Sequence, residues 1–129
     1  MKPNSKIIFI CEHGAAKSVV AAAYLNQLAN DRGLDLRAIA RGTNPDDRLS
    51  SRAVQGLSKD GLTPPEPIPQ KLTEADLQSA QRVITFCELP AEYRPKATVE
   101  RWDDIPPVSE NYERARDAIV ERIRQMLDR

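Results

Sequence analysis

Cys11-Glu12-His13-Gly14-Ala15-Ala16-Lys17-Ser18 brings one of the two cysteines, the histidine, a lysine and a serine into one short segment. A cysteine followed by small residues and then a helix start is a chemical device. Backbone N–H groups at a helix N-terminus lack intrahelical partners and carry partial positive charge. They form a cradle for a tetrahedral anion, and the same field stabilises a thiolate. Cys11 is therefore a candidate nucleophile. The amides of Glu12, His13, Gly14, Ala15 and Ala16, with Lys17 and Ser18, are candidate oxyanion holders. Gly14 supplies backbone angles that other residues reach only with strain. Lys17 adds a positive charge, and the Ser18 hydroxyl can donate to the thiolate. His13, the sole histidine, is a candidate thiolate partner or proton donor. The competing reading makes Cys11 a buried strand-end thiol and His13 a neutral turn residue.

The elements around this segment predict how it is held. Lys6 to Cys11 is β-branched and aromatic, the pattern of a strand buried on both faces. Val19 to about Asn30 reads as a helix with Ser18 at its mouth and Gly33 at its end. Leu34 to Ala40 alternates like a strand, Gly42-Thr43-Asn44-Pro45 is a loop, and a helix runs from about Leu49 to Lys59. Pro64, Pro65, Pro67 and Pro69 make Thr63 to Pro69 an irregular, extended connection. Thr73 caps a short helix through Ala80, with Glu74 and Asp76 in its first turn. Val83 to Cys87 is a third buried strand, and Ala97 to Trp102 a weaker fourth. Asp103 to Glu110 is a loop. Tyr112, Ala115, Ile119, Ile123 and Leu127 mark an amphipathic terminal helix.

Strands alternating with helices predict an α/β fold, a doubly wound parallel sheet with right-handed crossovers. Ligands of such sheets sit beyond the carboxyl ends of the strands. Cys11 and Cys87 both close predicted strands, so both thiols should face that edge. At 129 residues the chain reads as a single domain over 1–129. Nineteen basic and nineteen acidic residues cancel, which offers no bulk field for nucleic acid or a charged membrane. No apolar run spans a bilayer, and Met1–Ser5 lacks a signal-peptide layout. Two cysteines do not make a secreted disulfide framework, so a cytoplasmic protein, monomeric or weakly oligomeric, is expected. Nothing calls for a cofactor, and two cysteines with one histidine lack metal-ligand spacing.

The spacing from Cys11 to Ser18 resembles the cysteine, five residues, arginine, serine signature of the low-molecular-weight protein tyrosine phosphatases and thioredoxin-coupled arsenate reductases. Further segments agree in order and separation. Gly42-Thr43-Asn44-Pro45 resembles the glycine-threonine segment after the second strand. Val83 to Cys87 resembles the reductases' cysteine-ending strand, and Trp102 to Pro107 the family's late loop. The resemblance implies a three-layer α/β/α sandwich around a four-stranded parallel sheet. It also implies phosphate, arsenate or a phosphorylated substrate as ligand.

Four positions depart from that pattern. Lys17 stands where the family has arginine, keeping the charge but losing the planar fork that grips two oxygens. Gly14 replaces an asparagine that braces the loop. The family's general acid, an aspartate four residues after the tryptophan, falls on Pro106; Asp103 and Asp104 are the candidate substitutes. The third thiol of the reductases falls on Arg94. Cys87 is thus a candidate redox partner for Cys11 only with an external thiol reductant. Arg37, Arg41 and Arg94 are candidates to supply a guanidinium.

Three functions compete. The first is a slow hydrolase of phosphotyrosine or aryl phosphates through a thiophosphate on Cys11, with Lys17 and Asp103 or Asp104 in support. The second is an arsenate reductase using Cys11 and Cys87. The third is a non-catalytic module that binds an oxyanion or a partner.

Overall fold

The computed structural model describes residues 5–93, 95 and 98–128. Four strands, β1 (Ser5–Cys11), β2 (Leu36–Gly42), β3 (Arg82–Thr85) and β4 (Val99–Arg101), form one sheet in the order β2-β1-β3-β4. Every pairing is parallel. Four helices, α1 (Lys17–Asp31), α2 (Ser51–Lys59), α3 (Glu74–Ser79) and α4 (Tyr112–Leu127), complete the fold. The predicted α/β class and four-stranded parallel sheet are both present. No helix among the described residues is long and apolar enough to cross a membrane.

Strand β1 explains the layering. Its residues Ile7 to Ile10 are wholly buried, and successive side chains point to opposite faces. Ile7 and Phe9 join the cluster built by α1, α2 and α4, with Val20, Leu25, Leu57, Ile119 and Ile123. Ile8 and Ile10 join a smaller cluster with Leu72, Leu77 and Val83 beside α3. A strand that must satisfy both faces needs an unbroken apolar run, which is why β1 shows no polar alternation. Phe9 also anchors an aromatic triangle, 6.2 Å from Phe86 and 5.6 Å from Trp102 between ring centroids. That contact ties the late loop to the centre of the sheet.

Several element boundaries differ from the sequence reading, each for a local reason. Gly33, at φ 67°, turns the chain out of α1, and the amide of Leu34 donates to the Ala29 carbonyl. Leu34 is thereby spent on the helix end, and β2 begins at Leu36 and runs on to Gly42. Helix α1 begins at Lys17, two residues before the predicted Val19, so Ser18 lies inside its first turn. Helix α2 starts at Ser51, after Leu49, because Ser50 caps it by accepting from the Ala53 amide. Strand β3 stops at Thr85, short of Cys87: the Thr85 hydroxyl donates to the Cys87 carbonyl and accepts from its amide, curling the chain. Strand β4 covers Val99–Arg101, and Ala97 lies outside the described residues. The cap at Thr73 forms as expected, as a reciprocal capping box with Asp76.

Candidate active site

Strand β1 has β2 on one side and β3 on the other, the chain passing from β1 to β2 and then crossing over to β3. Its carboxyl end is thus the switch point at which a parallel sheet opens a crevice. Cys11 ends that strand. A cavity of about 370 Å³ opens there, lined by Cys11, His13, Lys17, Asp46, Phe86 and Cys87 among others.

The loop from Glu12 to Ala16 is braced from behind. The carbonyls of Cys11, Glu12, His13 and Ala15 accept from the amides of Thr43, Asn44, Asp46 and Ser50, at 3.3, 2.8, 3.0 and 2.9 Å. Gly14 adopts φ 61° and abuts Gly42, where a Cβ on Gly14 would lie 2.8 Å from the Gly42 nitrogen. Among the described residues, the amides of Glu12 through Ala16 donate to no other backbone group. Ala16 caps α1 without a side-chain hydrogen bond. The result is a row of unspent N–H donors at a helix N-terminus, the arrangement that receives a tetrahedral anion.

Ser18 is fully buried, and its Oγ lies 3.0 Å from Cys11 Sγ. A buried hydroxyl needs a partner. The thiol provides one. Lys17 lines the cavity and forms no ion pair among the described residues. Its charge therefore stays available to a ligand.

Cys87 lines the same cavity, so two thiols share it despite the early end of β3. Burial pushes the Cys87 thiol up; nearby Cys11 and Glu12 act in the same direction, and Thr85 and Arg101 oppose them. His13 is half-exposed, with Nδ1 3.1 Å from Asp46 Oδ1 and Nε2 3.5 Å from Glu12 Oε2.

Not every predicted residue converges. Asp103 is exposed and paired with Arg101 at 2.6 Å; Asp104 is exposed and paired with Arg122 at 2.7 Å. Neither lines the cavity. The Arg122 hydrogen bond holds the Asp104 carboxyl below the usual carboxylate range. Among the candidate guanidinium donors, Arg41 is engaged by Asp76 at 3.0 Å and Glu66 at 2.5 Å. Arg37 pairs in register with Lys6, at the opposite end of β1 from Cys11. Arg94 lies outside the described residues. Gly14 faces the back of the loop, beside Ala40 and Leu49.

Sequence reasoning missed Asp46, Ser50 and Phe86, and the segment Pro107–Ser109, all of which line the cavity. Asp46 was within reach of the same edge rule, since it follows the loop after β2. Pro107 ends the late loop that the resemblance singles out, whereas Val108 and Ser109 lie in an irregular stretch with no periodicity to place them.

Comparisons with known proteins identify the family and the fold. The family model described as low molecular weight phosphotyrosine protein phosphatase matches residues 6–129. No curated protein matches the chain in sequence. Among solved structures, a low molecular weight protein tyrosine phosphatase from T. tengcongensis superposes with a TM-score of 0.85 at 20% identity, covering 97% of this chain and 99% of that one. A thioredoxin-dependent arsenate reductase from Corynebacterium glutamicum superposes at 0.74 and 23% identity, covering 98% of this chain but only 62% of that longer one. An arsenate reductase from Archaeoglobus fulgidus gives 0.72 and 23%, with 95% and 99% coverage.

Proposed function

This chain belongs to the low-molecular-weight phosphotyrosine protein phosphatase family, and from that membership we propose that it hydrolyses phosphate monoesters through Cys11. One observation carries the reading. Cys11 Sγ sits 3.0 Å from the buried Ser18 hydroxyl, at the mouth of a loop whose amide donors are unspent. The phosphoryl oxygens enter that cradle beside Lys17, and the thiolate attacks phosphorus from below. A cysteinyl phosphate forms, which water then cleaves. Phe86, Pro107 and Val108 give the cavity an apolar wall, suited to an aryl leaving group.

Lysine in place of arginine at position 17 weakens bidentate stabilisation of the transition state, so turnover is slow. The test is steady-state hydrolysis of an activated aryl phosphate by the purified chain. Turnover lost in Cys11→Ser supports the reading; turnover equal in the two proteins sinks it.

A second reading, arsenate reduction, rests on Cys87 sharing the cavity with Cys11. In that reaction the Cys11–arsenate adduct is attacked by the Cys87 thiol, releasing arsenite and leaving a Cys11–Cys87 disulfide. An external dithiol then reduces it. Burial disfavours the Cys87 thiolate, which places this reading second.

A further inference from the structure

The hydrolysis proposed above needs a proton for the departing oxygen, and the two sequence candidates are turned away. Asp103 and Asp104 are bound to Arg101 and Arg122 outside the cavity, and Pro106 has no proton to give. The cavity itself holds another donor. We propose that His13, oriented by Asp46, protonates the leaving group.

Each ring nitrogen of His13 faces a carboxylate, Asp46 at the shorter distance and Glu12 at the longer. Nδ1 lies 3.1 Å from Asp46 Oδ1, within hydrogen-bonding range. Nε2 lies 3.5 Å from Glu12 Oε2, too far for a direct bond. A ring nitrogen that carries a proton donates it, and one that does not accepts one. At 3.5 Å from Glu12, Nε2 keeps room for a hydrogen bond to an atom entering the cavity that His13 lines.

The charged and titratable groups around the ring come from several elements. Glu12 precedes it in the loop, Asp46 arrives from the loop after β2, and Lys17 from the start of α1. Cys11 and Cys87 complete the lining from β1 and from beyond β3. Of these, the two carboxylates face the ring directly. The departing oxygen needs a proton. An imidazole exchanges one near neutral pH.

The reaction then balances without another group. Cys11 Sγ bonds to phosphorus as the ester P–O bond breaks, and the departing oxygen takes the Nε2 proton. In the second half, neutral His13 takes a proton from the water that attacks the cysteinyl phosphate. The S–P bond breaks, returning the thiolate and the charged imidazole. Asp46 acts as a positioning residue throughout.

Two esters separate this role from a structural one: phenyl phosphate, whose leaving group needs a proton, and 2,4-dinitrophenyl phosphate, whose leaving group does not. His13→Gln is expected to lower kcat/KM on phenyl phosphate by about 10²-fold or more, and on the dinitrophenyl ester by less than about 3-fold. The alkaline decline of the phenyl phosphate pH profile should disappear as well. Asp46→Asn should lower phenyl phosphate turnover by a smaller factor, and again by more than it lowers turnover of the dinitrophenyl ester. Equal losses on the two esters, or no loss on phenyl phosphate, overturn the assignment while leaving Cys11 chemistry intact. If wild-type protein shows no Cys11-dependent turnover of the dinitrophenyl ester, the hydrolase reading itself fails, and this one with it.

Discussion

Gly14 and Gly42 meet backbone to backbone: a Cβ on Gly42 would lie 2.7 Å from the Gly14 nitrogen, and one on Gly14 would lie 2.8 Å from the Gly42 nitrogen. The resembled family braces its loop with an asparagine where Gly14 stands. Here the bracing comes from the backbone after β2, whose amides bind the loop carbonyls. Close approach requires that neither residue carry a side chain.

Gly42→Ala should therefore damage the site more than an exposed glycine change would. The added methyl meets backbone atoms of His13 and Gly14, which cannot rotate away. A destabilisation of about 1–3 kcal/mol is expected. Chemical denaturation measures it, with Gly33→Ala as comparison: Gly33 also has positive φ, but nothing lies within 4 Å of its would-be Cβ. Equal effects of the two would remove the close approach as the cause.

Ser18→Ala removes the hydroxyl 3.0 Å from Cys11 Sγ. A hydrogen bond to a charged partner contributes about 1.5–3 kcal/mol, so alkylation of Cys11 by iodoacetamide at neutral pH should slow roughly tenfold or more. Phosphate should protect Cys11 from the reagent. An unchanged rate would show that the hydroxyl does not stabilise the reactive form.

Lys17→Arg restores the planar fork. If the hydrolase reading holds, kcat/KM for an aryl phosphate should rise about tenfold, whereas Lys17→Ala should lower it by a similar factor or more. A Lys17→Ala variant as active as wild type would place Lys17 outside the anion site.

Cys87→Ser distinguishes the two proposed reactions. Ester hydrolysis should change little, because it uses one thiol. Arsenate-dependent consumption of an added dithiol should vanish. Dithiol consumption that survives in Cys87→Ser removes Cys87 from any reductase mechanism.

Far from the site, Asp60 links α1, α2 and α4. It accepts from Tyr24 at 2.5 Å, Tyr112 at 2.8 Å and Arg116 at 3.2 Å. Burial alone would raise the Asp60 carboxyl, but the hydrogen bonds from Tyr24, Tyr112 and Arg116 together hold it below its usual range. Burial, then Asp60, pushes Tyr24 up to about 12 and raises Tyr112 too. A lowered acid contributes stability that is lost as pH falls through its folded pKa. A raised phenol contributes stability that is complete below about pH 10 and lost as pH climbs toward 12. Urea denaturation across pH should show both limbs. Asp60→Asn should cost about 1–3 kcal/mol at pH 7 and flatten the acid limb; an unaltered acid limb would assign it to other carboxylates.

Most of the fold was legible because it rests on short-range patterns. The apolar run of β1 requires burial on both faces, and the Thr73–Asp76 capping box announces α3. Boundaries slipped where a side chain had a tertiary partner. Ser18 reads as the mouth of the helix, but α1 already begins at Lys17, and the Ser18 hydroxyl lies 3.0 Å from Cys11 Sγ. Leu34 looked like a strand residue because it alternates with Leu36, but its amide closes α1.

The cradle after Cys11 was determined by the sequence itself. A strand-end thiol, small residues and a helix start lie within one stretch of chain, although the amides that brace the loop come from the segment after β2. Which acid faces that cradle was decided only by tertiary structure. Asp103 and Asp104 are near the late loop's tryptophan in sequence, yet Arg101 and Arg122 draw their carboxylates outward. Asp46 is distant from Cys11 in sequence, yet the parallel register of β1 and β2, which pairs Cys11 with Gly42, carries it to the cavity. Ion pairing and strand register act between segments far apart along the chain, and no local pattern encodes where a side chain ends up when several partners compete for it.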